Sequence, residues 1–393
     1  MGEVSTIIGG GTPKTAESTY FGSDIPWITP ADLSDYTDKF ISYGARSLTK
    51  SGLANSGARL MPAGTVLFSS RAPIGYVAIA SRPVSTNQGF KSFVLNEDLF
   101  PDYVYYWLQC AKPFALALAS GTTFLEISGK KAADIPIPIP PLAEQRRIVA
   151  EIEEQLSRLE AGVTALKRVQ VNLERYRASV LGAAVIGLLS AGTTRKWQRA
   201  TIGDLAEEVR YGTSAKTSSD LVDGIPVLRM GNIEHGTLVI DKLKFLPSDH
   251  EEFPDLLLRS GDLLFNRTNS SELVGKSAVY RGIPQECSFA SYLIRVRFGS
   301  RVLPDFANAY LNSSFGRAWV SRVVSQQVGQ ANVNGSKLKA LEIPLPPLEE
   351  QRQIVTEVEQ RLSVVEKTEA QAQSDLARAE RLRQAVLATA FAP

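Results

Sequence analysis

The chain has 393 residues, 44% apolar and 21% charged, with a formal net charge of +2. That length suits two or three domains, and the composition is that of an ordinary folded protein; overall charge announces neither a nucleic-acid nor a membrane partner. Two cysteines (Cys110, Cys287) and two histidines (His235, His250), far apart in sequence, argue against a disulfide scaffold and a Cys/His zinc centre.

The chain opens MGEVSTIIGGG, without the basic and apolar regions of a secretory signal. Short alternating runs follow at 66–68, 75–80 and 90–95, separated by Gly, Pro, Ser and Asn, and read as strands. A helix is predicted over 101–109, opened by Pro101 and Asp102. At 138–160 the sequence reads PIPPLAEQRRIVAEIEEQLSRLE: an extended proline lead, Pro141 in the first helical turn, and Glu144 where the helix dipole favours an acid. Ile148, Ile152, Leu156, Leu159, Val163, Leu166, Val169, Leu173, Tyr176 and Val180 then recur at spacings of three and four, which predicts a long helix with a coiled-coil seam. The longest apolar run, 180–189, is about half of what a bilayer span needs, so a cytoplasmic protein without membrane contact is expected.

Beyond 190 the pattern repeats. Strand-like runs at 263–266, 276–280 and 294–298 precede a helix over 304–312. Residues 344–366, PLPPLEEQRQIVTEVEQRLSVVE, match 138–160 at a constant offset of 206. Ile354, Val358, Leu362, Val365, Leu376, Leu382 and Val386 form the second stripe, with 369–375 poorer in large apolar residues. Weaker echoes link Ile25-Pro26 to Ile225-Pro226 and Gly64–Phe68 to Gly261–Phe265, while residues 197–202 (WQRATI) have no counterpart before Gly2. The organisation is α+β: mixed, mostly β units at 1–137 and 191–343, and long helices at 138–190 and 344–393.

Catalytic signatures are scarce. The run at 270–277, SSELVGKS, has Ser270 where a phosphate-binding loop needs its first glycine, and no helix is expected after it. Gly9–Gly11 is a glycine cluster rather than a dinucleotide fingerprint. No acid precedes a lysine by two positions, as a metal-dependent nuclease would require, and the isolated histidines leave a nucleophilic triad little to work with. What remains is recognition: Ser69-Ser70-Arg71 and Thr86-Asn87-Gln88 in the first unit, Asn266–Asn269 and Tyr292 with Arg295 in the second. Arginine pairs with guanine and asparagine or glutamine with adenine in the major groove, whereas the same residue types also simply make loops. Acidic and basic residues balance in both units, so a DNA-binding chain would have to segregate its charge onto one face.

The duplicated PPLxEQR helix start (140–146 and 346–352), the two divergent globular units and the turn at Gly10-Gly11-Thr12-Pro13 together resemble the specificity subunits of type I restriction–modification enzymes. The resemblance implies two target recognition domains joined by two long helices that pair as an antiparallel intramolecular coiled coil with pseudo-twofold symmetry. It implies no catalysis in this chain and no cofactor or metal of its own. The expected partners are double-stranded DNA with a bipartite asymmetric site, methyltransferase (modification) subunits that bind S-adenosylmethionine, and restriction subunits that use ATP. The helix pair would act as a ruler for the unread spacer between two different half-sites. The residues expected at DNA are Lys14, Ser70, Arg71, Asn87, Gln88 and Lys91 in the first unit. In the second they are Lys216, Arg229, Asn232, Asn266, Arg267, Asn269 and Arg295. Arg146, Arg147, Arg158, Glu350, Arg352 and Arg361 are expected to dock partner subunits, or else to be solvated helix flanks. A coiled-coil scaffold and a stand-alone two-headed DNA-binding regulator are the competing readings.

Overall fold

The computed structural model describes residues 1–71, 73–121, 125–190, 197–221, 223–270, 273–327 and 330–392. It divides into two compact units, Met1–Leu166 with Ser374–Pro393, and Lys167–Gln373. Two long helices, Leu142–Val185 and Leu348–Ala390, each begin in one unit and finish in the other. At 44 and 43 residues they lie within the spans 138–190 and 344–393 read from the sequence, and at 1.5 Å per residue each is about 65 Å long. Both start within a residue of the predicted point: the carbonyl of Pro141 accepts from the amides of Glu144 and Gln145, and that of Pro347 from Gln351.

In the first unit a five-stranded sheet has the order Ser5–Gly9, Lys91–Leu95, Val66–Phe68, Val77–Ala80, Phe40–Ile41. A second sheet centres on Ile25–Ile28, flanked antiparallel by Arg46–Leu48 and parallel by Ser85–Thr86. The second unit rebuilds both: Ala206–Tyr211, Leu293–Phe298, Leu263–Asn266 and Ser277–Val279 make one sheet, and Ile225–Leu228 lies between antiparallel Lys244–Leu246 and parallel Ser288–Phe289 in the other. A strand thus follows the 270–277 run, whose residues 271 and 272 lie outside the described residues. The second unit also pairs Gln198–Thr201 with Glu342–Leu345, and among the described residues of the first unit no strand pairs with 136–139.

Each unit closes its core with a helix laid on the sheet and two stretches of long helix. In the first, Phe68, Phe93, Tyr103, Leu108 and Ile135 pack with Val149, Ile152, Leu156 and Leu387. In the second, Phe265, Ile294, Phe306, Leu311 and Ile343 pack with Leu181, Ala184, Ile354 and Val358. The helix stretches run antiparallel in both: Arg383 lies 3.6 Å from Glu160 in the first, and Arg177 lies 2.8 Å from Glu369 in the second.

The seam departs from its predicted stripe. Val169, Tyr176 and Leu382 are exposed, because the buried positions follow a seven-residue step through Val358, Val365, Ala372 and Ala379. On the other helix the same step from Val149 and Leu156 reaches Arg177, which is 5% exposed. The apolar-poor stretch 369–375 is closed by a small residue, Ala372, and by the Arg177–Glu369 ion pair.

The repeated motif has a structural reason. Gln145, fully buried, accepts from the Phe100 amide at 2.8 Å and donates to the carbonyls of Asp98 and Pro140 at 2.8 Å. Gln351, equally buried, accepts from the Leu303 amide at 2.7 Å and donates to Arg301 and Pro346 carbonyls at 3.2 and 2.8 Å. One carboxamide therefore satisfies the start of the short helix, the loop before it and the proline lead at once. A second tie recurs beside it. Lys39 joins Asp102 and Glu153 in the first unit, and Arg281 joins Asp305 and Glu359 in the second.

Candidate nucleic-acid interface

Three loops meet in the first unit: the turn after Ser5–Gly9, the loop after Ser85–Thr86, and the end of Val66–Phe68. The first two touch so closely that a Cβ on Gly10 would lie 1.9 Å from the carbonyl oxygen of Asn87, so only glycine fits. The Gly11 amide donates to the Thr86 carbonyl at 2.9 Å, and Thr12 hydrogen-bonds the Gln88 side chain. The third loop is pinned by Ser70, whose amide donates to the Gly89 carbonyl at 2.7 Å. Arg71, Asn87, Gln88 and Lys91 belong to this cluster, and Lys14 is exposed further along the first turn. Asn87 also braces its own loop, accepting from the Gly89 amide at 2.9 Å. Arg71 and Lys91 both face Glu126, at 3.5 and 3.6 Å.

The second unit repeats the convergence. A Cβ on Gly212 would meet the Phe289 carbonyl oxygen at 2.2 Å, and the Arg267 amide donates to the Tyr292 carbonyl at 3.0 Å. Lys216 is exposed on the turn that follows Gly212. Arg229, Asn266, Asn269, Lys276 and exposed Tyr292 line a cleft of about 480 Å³, with Met230, Ile233 and Leu273 as its apolar wall. Arg267 lies with its guanidinium 5.0 Å from the Tyr211 ring centre, and Arg229 donates to the Lys242 carbonyl at 2.9 Å. Basic, amide and aromatic groups on one surface can bind phosphates and read base edges.

Four of the residues expected at DNA are buried. Ser70 is fully buried, its hydroxyl donating to the Gly89 carbonyl. Asn232 is 3% exposed and caps a short turn, accepting from the Arg229 amide and donating to the carbonyls of Val239 and Asp241. Asn266, 1% exposed, forms the cleft floor and donates to the Leu273 carbonyl, so it supports the surface rather than standing on it. Arg295 is 1% exposed and lies inside the sheet, donating to Glu208 and to the carbonyls of Asp255 and Leu257. Burial holds its pKa below the ordinary arginine value. Arg297 and Asp262 complete that network through a bidentate pair at 2.7 and 2.8 Å.

Among the residues expected to dock partners, Arg147, Arg158, Arg352 and Arg361 are each paired with a glutamate one turn away on their own helix. The Glu144 partner raises the Arg147 pKa above its ordinary value. Arg146 is exposed, its guanidinium 5.4 Å from the Phe100 ring centre. Glu350 is tied internally: its carboxylate accepts from Ser190 and from the Trp197 indole at 2.7 and 3.1 Å. Glu126 and Lys276 escaped the sequence reading. Each owes its place to groups distant along the chain: Glu126 to Arg71 and Lys91, and Lys276 to the cleft it lines with Arg229 and Tyr292.

Comparison with known proteins agrees with this architecture. The family model described as Type I restriction modification DNA specificity domain matches residues 1–172 and 194–373. The chain belongs to that family of DNA specificity domain proteins. Among curated relatives, the type I restriction enzyme MjaIX specificity subunit of Methanocaldococcus jannaschii is 39% identical over 37% of this chain and 34% of its own length. The EcoKI specificity subunit of Escherichia coli K12 is 31% identical over 70% of this chain and 61% of its own length. The chain thus spans about a third and about three fifths of these two relatives. Among solved structures, the HsdS subunit from Thermoanaerobacter tengcongensis matches with a TM-score of 0.60 at 20% identity, covering 99% of this chain and 95% of that one. A chain described under "Structural basis underlying complex assembly and conformational transition of the type I R-M system" matches with a TM-score of 0.77 at 20% identity, covering 99% and 96%. Both support the fold.

Proposed function

We propose that this chain is the specificity subunit of a type I restriction–modification complex. The observation that carries the reading is the loop cluster built twice, around Gly10 and Gly212, with different polar side chains each time. Each unit reads one half of a bipartite DNA site, and because the side chains differ, so do the half-sites. The two long helices serve as the spacer element, and base chemistry, which needs an extruded base, belongs to modification subunits. Restriction subunits assemble on the same complex, and the complex works in the cytoplasm. The groups left for partner contact on the long helices are Arg146 and the glutamate-paired arginines Arg147, Arg158 and Arg352.

The test is co-expression with a cognate modification subunit, followed by sequencing of methylated bases in host DNA. A split, asymmetric motif that depends on this chain supports the reading. A contiguous or twofold-symmetric motif would mean that one unit alone reads. A soluble complex that methylates nothing new would favour a scaffold, and salt-sensitive DNA binding without any modification partner would favour a stand-alone regulator.

A further inference from the structure

We propose that Arg71 reads a guanine in the half-site contacted by the first unit and that Glu126 is its positioning residue; this rests on the specificity-subunit reading above. Of the sequence-derived candidates in that unit, Ser70 is buried, Asn87 braces its own loop and Gln88 is held by Thr12. Arg71 combines a charge with a 36% exposed side chain and a fixed partner. Its backbone bridges that of Glu126, and the adjoining Ser70 is held on both sides, by the Gly89 carbonyl and by the Ile127 amide. The base of the side chain is therefore rigid, and the carboxylate 3.5 Å from Nη1 restrains its tip.

Restraint matters because a free arginine loses much of its rotamer entropy when it binds. A guanidinium carries five N–H donors, so an edge turned to a carboxylate leaves donors for a second partner. Guanine alone presents two adjacent acceptors, O6 and N7, in the major groove, whereas adenine presents a donor beside N7. The same carboxylate lies 3.6 Å from the Lys91 ammonium, so two cations share one anion. The cluster keeps a positive balance for DNA without leaving both cations uncompensated.

The second unit carries the contrast. The same backbone bridge there joins Thr268 and Asn332, and the Asn332 carboxamide donates to the Thr268 hydroxyl at 3.2 Å. Glu126 and Asn332 stand 206 residues apart, the offset of the long helices. One site in the fold is thus ionic in the first unit and neutral in the second, which makes it a place where the two half-sites differ.

The complete complex with its modification subunit, carrying R71A, R71K, E126Q or E126D, tests this by methylation sequencing together with thermal melting. R71A and R71K are expected to lose about ten- to a hundredfold in preference at one guanine of one half-site, the other half staying intact. R71K separates bidentate reading from charge alone, and covers the case in which R71A does not fold. E126Q is expected to relax the same guanine and to steepen the salt dependence of DNA binding by about one ion, since Lys91 loses its partner. E126D is expected to restore discrimination, and melting temperatures to stay near wild type. The proposal is overturned if Arg71 variants keep every guanine fully specified, if both halves relax together, or if E126Q leaves motif and salt slope unchanged. Absence of any split motif in the wild-type complex would overturn the specificity-subunit reading, and this proposal with it.

Discussion

Replacing Gln351 tests the tie between long helix and globular unit. Its side chain is fully buried and makes three hydrogen bonds, to the Leu303 amide at 2.7 Å and to the Pro346 and Arg301 carbonyls at 2.8 and 3.2 Å. Q351A leaves at least the first two of these backbone groups without a partner. At about 1–3 kcal/mol for each unsatisfied buried group, the expected loss is about 3 kcal/mol. For a unit of 150–250 residues that lowers the melting temperature by about 6–12 °C. Q351E is sharper still. A carboxylate keeps the acceptor for the Leu303 amide but turns its other oxygen toward two carbonyls, so burial and repulsion raise its folded-state pKa above the unfolded value of about 4.3. An acid whose pKa is raised on folding contributes its stability at low pH and loses it as pH rises through the folded value. Q351E is therefore expected to approach wild type near pH 4 and to fall progressively below it toward pH 8, measured by scanning calorimetry. A melting temperature for Q351A within a degree of wild type, or a Q351E deficit that does not grow with pH, would refute the assigned role.

Three further outcomes are expected. R295A should cost about 3–5 kcal/mol in urea unfolding, because it strips a buried partner from Glu208 and from two carbonyls; a loss under about 1 kcal/mol would return Arg295 to the surface. G10A should destabilise the first unit and blur one half-site, since a Cβ there meets a backbone oxygen at 1.9 Å, whereas G231A, with nothing within 4 Å, should leave both the melt and the motif unchanged. Burial pushes the Cys287 thiol up to about 12 and Cys110 up to about 11. Iodoacetamide at pH 8 should therefore label neither rapidly in the folded protein and both in urea; rapid labelling of native Cys287 would contradict its burial.

Much of the architecture was legible from local signals. Proline leads, first-turn acids and an offset of 206 without a gap located the starts of both long helices to within a residue, because capping and backbone restriction act over a few neighbouring positions. The loop clusters were legible as well, since Gly, Asn, Ser and Pro punctuate them. Which side chains in those loops stand free was not. Arg295 and Arg297 alternate with apolar residues as solvent-facing residues of a strand would, yet their face meets Glu208 and Asp262 inside the sheet. Asn232 and Asn266 have the composition of readers and the hydrogen bonds of braces.

The duplicated plan, the helix starts and the loops are all written in local sequence, because each depends on residues close along the chain. Long-range packing alone reveals that Gln145 and Gln351 join each helix to its unit, and that Arg177, rather than the neighbouring Tyr176 of the predicted stripe, sits in the seam. The same packing sets Glu126 against Arg71, 55 positions away in the sequence. Those assignments depend on which distant groups meet away from water, where a polar atom must find its partner or forfeit stability, and no local pattern records that meeting.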